Sequence, residues 1–128
     1  MKNTDNLDLI IQMPDGGICP VRTVQKLFEG KWKFIILYYL SLKSTRFNEL
    51  KRLIPNISHG VLSLQLKELE KMYMINRKVY NEVPPKVEYS LSETGKEFLP
   101  SMDVLMNFAK YYIETHNIGS IQFDETDK

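Results

Sequence analysis

Ser58-His59-Gly60-Val61-Leu62-Ser63-Leu64-Gln65-Leu66-Lys67-Glu68-Leu69-Glu70-Lys71-Met72 is the stretch on which the reading of this chain turns. Ser58 is a helix N-cap residue, able to accept a hydrogen bond from an orphan N–H of the first turn. Leu62, Leu66 and Leu69 follow at the i, i+4, i+7 spacing of a buried helical stripe. At 100° per residue the opposite face collects Gly60, Ser63, Leu64, Lys67 and Lys71. An ordinary solvated face would hold more acids and fewer small residues. Upstream, Phe47 to Ile54 is a short amphipathic helix with Phe47, Leu50 and Leu53/Ile54 inward, closed by Pro55-Asn56-Ile57. Helix, tight turn and Ser-capped second helix make a helix-turn-helix, whose second helix is the one that enters a DNA groove.

Downstream lie two strand-like runs, Ile75 to Tyr80 and Lys86 to Leu91. The second alternates, with Val87, Tyr89 and Leu91 on one face and Lys86, Glu88 and Ser90 on the other. Asn81-Glu82-Val83-Pro84-Pro85 joins them as a stiff connection that no central sheet would tolerate. The expected fold is therefore mainly α with a small β-wing: a winged helix-turn-helix, with Thr45-Arg46-Phe47 as a short strand against the wing. Extra N- and C-terminal helices are expected to serve dimerisation.

Several strings here resemble the HxlR-type family of bacterial winged-helix regulators, relatives of the MarR group. They are Cys19-Pro20-Val21, Gly30-Lys31-Trp32, Arg46-Phe47-Asn48-Glu49-Leu50, Ile57-Ser58, Leu66-Lys67-Glu68-Leu69-Glu70 and Val83-Pro84-Pro85-Lys86-Val87-Glu88-Tyr89. The likeness runs from about Cys19 to about Phe108, with the motifs in the family's order. The chain departs from the pattern at Glu29, at His59-Gly60 and at Met72-Tyr73-Met74, where the family commonly has an acidic-Gly-Leu turn. The resemblance implies a cytoplasmic, homodimeric, sequence-specific regulator of transcription.

Length and composition agree with a single domain. The chain has 128 residues, of which 43% are hydrophobic. No run approaches the roughly 18 apolar residues of a membrane span, and Met1 to Asp5 lacks the basic start and apolar stretch of a signal peptide. The lone cysteine excludes an internal disulfide and the common cysteine-rich zinc sites. The net charge of +1 conceals an uneven distribution. Residues 31–96 carry twelve Lys/Arg against six Asp/Glu, whereas 1–30 carry three against four and 97–128 two against six. A basic centre between acidic ends, coinciding with the helix-turn-helix and wing, is the footprint of a DNA-binding face.

Along the chain, residues 1–17 read as a flexible arm with Pro14-Asp15-Gly16-Gly17 as a breaker cluster. Residues 18–116 form the domain, and 117–128 an acidic tail with Asp124, Glu125 and Asp127. Pro20 suits the first position of a helix, which puts Cys19 at the N-cap, with Val21, Val24, Leu27 and Phe28 as the apolar stripe and Gly30 at the end. Lys31 to Leu42 is apolar almost all round, as a buried helix is. Ser92 to His116 reads as one long helix in which Pro100 makes a kink or marks the true start. It carries two apolar tracks, Phe98, Met102, Leu105, Ala109, Tyr112 and Leu99, Met102, Met106, Ala109, Ile113. Together they are wider than one small domain covers, which suggests a dimer contact.

No catalytic constellation, phosphate loop, metal-ligand cluster or cofactor motif is present. For double-stranded DNA, the candidate phosphate contacts are Arg46, Lys67, Lys71 and Lys86. Ser58, His59, Gly60, Ser63 and Leu64 are candidates for the groove, Leu64 being suited to a thymine methyl. Cys19 is the redox-sensing candidate: a helix N-terminus favours the nucleophilic thiolate, and some members of the resembling family sense oxidants or electrophiles through a cysteine at this position. Tyrosines near the dimer helices are candidates to line a small-molecule effector pocket. The competing reading is a winged-helix protein-interaction module that binds no DNA. The basic centre argues against it, and the missing acid–base set argues against a small enzyme.

Overall fold

The computed structural model describes residues 14–122. In chain order the elements are α1 (Pro20–Leu27), α2 (Lys33–Leu42), β1 (Thr45–Arg46), α3 (Phe47–Leu53), α4 (His59–Lys71), β2 (Ile75–Tyr80), β3 (Lys86–Leu91), α5 (Glu93–Glu97) and α6 (Leu99–Thr115). The strands form an antiparallel sheet in the order β1-β3-β2, with Thr45 opposite Tyr89 and Ile75 opposite Leu91. This is a winged helix-turn-helix.

Each boundary of α4 has a local cause. Ser58 Oγ accepts a hydrogen bond from Val61 N at 3.1 Å, the cap expected from its type. At the other end Met74 N donates to Leu69 O (3.0 Å) and Tyr73 N to Glu70 O (3.1 Å). These two bonds are the Schellman pattern, which places the residue after the cap in the left-handed region. That residue is Tyr73, at φ 67°, where the resembling family's turn has glycine.

The core gathers Ile36, Leu37, Tyr39 and Leu40 of α2, Leu50, Ile54 and Ile57 of the helix-turn-helix, and Met74, Ile75, Tyr89 and Leu91 of the sheet region. Leu62, Leu66 and Leu69 close it from α4 at 0%, 1% and 0% exposure. Lys33, in the otherwise apolar α2, is also buried, and its Nζ donates to Glu68 Oε1 of α4 at 2.6 Å. An ion pair thus fixes one flank of α4 while the leucines fix its base. Gly95 in α5 packs closely on the turn that ends α4: a Cβ there would lie 2.2 Å from Met74 O.

Two sequence expectations are corrected. Ser92 to His116 is two helices, and of the two roles expected for Pro100 it takes that of marking the start of the long one. Ser92 caps the short α5 by accepting from Gly95 N (3.0 Å), and α6 starts afresh at Leu99 with Pro100 in its first turn. Proline has no N–H and its ring would clash with the carbonyl four residues back, so α5 cannot run through. Phe47 belongs to α3, which leaves Thr45–Arg46 alone as the strand.

Cys19 does occupy the N-cap of α1 with Pro20 behind it, and Gly30 adopts φ +89° after the helix. Of the arm, residues 1–13 lie outside the described residues; Pro14 and Asp15 enter a turn in which Gly17 N donates to Asp15 Oδ1 at 2.9 Å. Asn117, at φ 52°, ends α6, and the acidic positions of the tail lie outside the described residues. No helix among the described residues is long and apolar enough to cross a membrane.

Candidate nucleic-acid interface

The leucine stripe of α4 faces the core, so the opposite face is necessarily presented outward. Gly60, Leu64, Lys67 and Lys71 are exposed there, and Ser63 is half-buried at the margin. Leu64 is 53% exposed, a branched apolar side chain among hydroxyl and ammonium groups. A Cβ on Gly60 would meet nothing within 4 Å, so internal packing does not require glycine at this position. The two residues that open the helix have partly internal roles. Ser58 Oγ is engaged in the cap, and the His59 ring packs on Phe47 at 4.6 Å, tying the start of α4 to α3.

Arg46 and Lys86, forty residues apart in the chain, come to one face of the sheet. The register places Arg46 opposite Glu88, Glu88 opposite Lys78, and Lys86 opposite Tyr80. Alternation puts all five side chains on the face away from buried Thr45 and Tyr89. A cleft of about 800 Å³ lies between α3 and the wing, lined among others by Arg46, Asn48, Arg52, Pro84, Pro85 and Lys86.

Ion pairing separates two populations of cations. Lys26 binds Glu29, Lys33 binds Glu68, Lys43 binds Glu49 and Lys96 binds Glu93. Arg46, Lys51, Arg52, Lys67, Lys71, Arg77, Lys78 and Lys86 have no ion-pair partner among the described residues. These eight are carried by the helix-turn-helix and the wing; Arg22 and Lys31, earlier in the chain, also lack an ion-pair partner among the described residues, Lys31 Nζ lying 4.9 Å from the centre of the Trp32 ring. Phosphates are the natural counterions for such a set. Lys51, Arg52, Arg77 and Lys78 are additions to the residues singled out from sequence; the basic bias of 31–96 contained them, but only the folded arrangement distinguishes them from the paired lysines.

The apolar tracks of the last helix part company. Met102 is 3% exposed and belongs to the core, with Phe98, Leu99 and Met106 packed against it. Leu105, Ala109 and Tyr112 are exposed, Ile113 is half-buried, and Val104, Phe108 and Tyr111 join the exposed set. Past Met106 no residue of α6 is buried: the helix runs beyond the body of the domain. An apolar groove of about 650 Å³ between α1 and α6, lined by Val24, Leu27, Phe28, Phe98, Val104 and Leu105, continues this surface. Cys19 is half-buried beside exposed Ile18 and Val21.

The HxlR-like helix-turn-helix family model matches residues 27–117, which takes in everything from the end of α1 through α6. The chain belongs to that family. Among its relatives, the uncharacterized HTH-type transcriptional regulator YdeP of Bacillus subtilis is 46% identical over 94 residues, covering 73% of each chain. Among solved structures, the redox regulator HypR in its reduced form superposes with a TM-score of 0.74 at 37% identity, over 79% of this chain and all of that one. The reduced form of the transcriptional regulator YodB from B. subtilis gives 0.68 at 31%, over 77% and 97%. The resemblance read from the motifs is thereby borne out, as is the winged-helix class. As an HxlR-like protein this is a DNA-binding transcriptional regulator and not an enzyme.

Proposed function

We propose that the protein regulates transcription as a homodimer whose two α4 helices enter successive major grooves of one duplex, with the wings on the flanking backbone. Gly60, Ser63 and Leu64 meet the base edges, and Ser58 and His59 set the entry of the helix. Lys67, Lys71, Arg46 and Lys86 take phosphates. The observation that carries this reading is the concentration of unpaired cations on α4, α3 and the wing. The dimer is supported by α6, whose second half exposes Phe108 (60%), Tyr111 and Tyr112 and has no domain beneath it. Exposed apolar area of that extent is characteristic of an interface.

Cys19 is the proposed point of control, through oxidants or electrophiles. Its place at the N-cap of α1, half-buried between exposed Ile18 and Val21, supports this, as does the likeness to HypR and YodB, of which a diamide-treated form is also a structural neighbour. With one cysteine per chain, the products open to it are a disulfide across the dimer, a mixed disulfide with a small thiol, or a covalent adduct. Each adds bulk at the start of α1, the helix whose later residues line the groove against α6, and would thereby change the spacing of the two α4 helices.

Sedimentation and gel shift test both parts. The unmodified protein should sediment as a dimer at micromolar concentration, and Leu105→Asp with Tyr112→Asp should give monomers that bind a two-half-site duplex poorly. Diamide should change the DNA affinity of the native protein and leave Cys19→Ser unaffected. A stable native monomer contradicts the dimer; an equal diamide response in Cys19→Ser makes Cys19 structural.

A further inference from the structure

Tyr80, at the end of β2, is half-buried where the four residues before it, Asn76 to Val79, are exposed. Lys78 Nζ lies 4.8 Å from the centre of its ring and Lys86 Nζ 4.4 Å. Its hydroxyl donates to Glu88 Oε1 at 3.0 Å. The register explains the cluster: Lys86 is directly opposite Tyr80, Glu88 is opposite Lys78, and all four share one face of the hairpin. Neither lysine is ion-paired among the described residues. The only acid among the four is held by the tyrosine hydroxyl, and both ammonium groups rest on a neutral π-face.

Two cations gathered on one ring, without neutralisation, form an arrangement that storage of charge for an external anion would require and stability would not. Like charges gathered around one ring repel, and a carboxylate partner for each would be the more stable solution. A cation over an aromatic face retains its charge and its outward N–H groups, while the stem loses much of its rotational freedom. We propose that Tyr80 is a positioning residue for the wing's contact with the DNA backbone: its ring holds Lys78 and Lys86 in place for phosphates, and Glu88 fixes the ring. This rests on the DNA-binding reading above and adds Lys78, Tyr80 and Glu88 to it.

The test is fluorescence anisotropy of the full chain on a labelled 30-base-pair duplex of mixed sequence, titrated at several salt concentrations. Tyr80→Leu keeps apolar bulk and both charges, so affinity should fall roughly five- to tenfold through weaker preorganisation, with the salt slope unchanged. The double variant Lys78→Ala with Lys86→Ala should flatten the slope by about two per subunit. Adding Tyr80→Leu to that background should change nothing further. Tyr80→Trp, which keeps and enlarges the π-face, should bind at least as well as the native protein and serves as the check should Tyr80→Leu melt without cooperativity.

An unchanged affinity in Tyr80→Leu overturns the proposal. So does a loss that persists at full size without the two lysines, or a Tyr80→Trp variant that binds as weakly as Tyr80→Leu. A native protein with no salt-dependent binding to the duplex refutes the DNA reading itself, which is a different result from native binding that Tyr80 does not influence.

Discussion

Replacing Gly60 by alanine should make the protein more stable and a poorer DNA binder at once. Gly60 is in the first turn of α4, and a Cβ placed on it meets nothing within 4 Å. Its φ is not in the left-handed region either, since Gly16 and Gly30 are the glycines with positive φ. Neither packing nor backbone conformation within the domain therefore calls for glycine, and alanine removes its entropic penalty at no steric cost. Alanine is favoured over glycine by about 0.8–1 kcal/mol in a helix interior, and a first-turn position should realise roughly half of that. The melting temperature should then rise by roughly 2 °C. In the complex the methyl group stands between Ser63, Leu64 and Lys67 and the groove, and pushes the helix outward. Loss of one good base pairing costs about 1–3 kcal/mol, or roughly a five- to 150-fold weaker specific affinity. Thermal unfolding and anisotropy on a specific duplex would show the two effects with opposite sign. A Gly60→Ala protein that binds as tightly as the native one would remove Gly60 from the DNA-facing surface and refute the orientation assigned to α4.

Four further variants probe how α4 is held. Tyr73→Gly relieves a non-glycine residue at φ 67° and should stabilise by about 0.5–1 kcal/mol, visible as a higher urea midpoint with DNA affinity retained. Gly95→Ala drives a Cβ to 2.2 Å from the Met74 carbonyl oxygen; as rigid backbone cannot yield as a side chain does, the loss should exceed about 3 kcal/mol, seen as a collapse of the cooperative melt. Glu68→Ala strands the ammonium of Lys33, 3% exposed, at a cost of about 1–3 kcal/mol, the lower end being favoured because Glu68 is itself partly open to water. Lys33→Met with Glu68→Leu, which removes both charges, should recover most of that loss.

The elements were legible where local chemistry sets them. Ser58 caps α4, the leucine stripe is buried, and β2 and β3 begin and end where the alternation and the Pro84-Pro85 connection place them. All of these depend on neighbours within a few residues. What was not legible depends on contacts across the chain. Lys33 is one basic residue in an apolar run, and its partner is 35 positions away. Lys78 and Tyr80 gain their meaning from the register with Lys86 and Glu88. The two apolar tracks of the last helix have the same spacing, yet Met102 is covered by its own domain whereas Leu105 and Tyr112 are not, because periodicity reports that a face is apolar and not what covers it.

Binding of the duplex by α4 and the wing, through the unpaired cations they carry, is tested most directly by the salt dependence of affinity. The comparison is between the native protein and Lys67→Ala combined with Lys86→Ala, on a duplex from the protein's own promoter region. Affinity of the native protein should fall steeply with salt. In the variant the slope should be shallower by about two per subunit, roughly 0.9 for each phosphate no longer neutralised. A variant with native affinity and native slope would contradict the assignment of these cations to the DNA backbone.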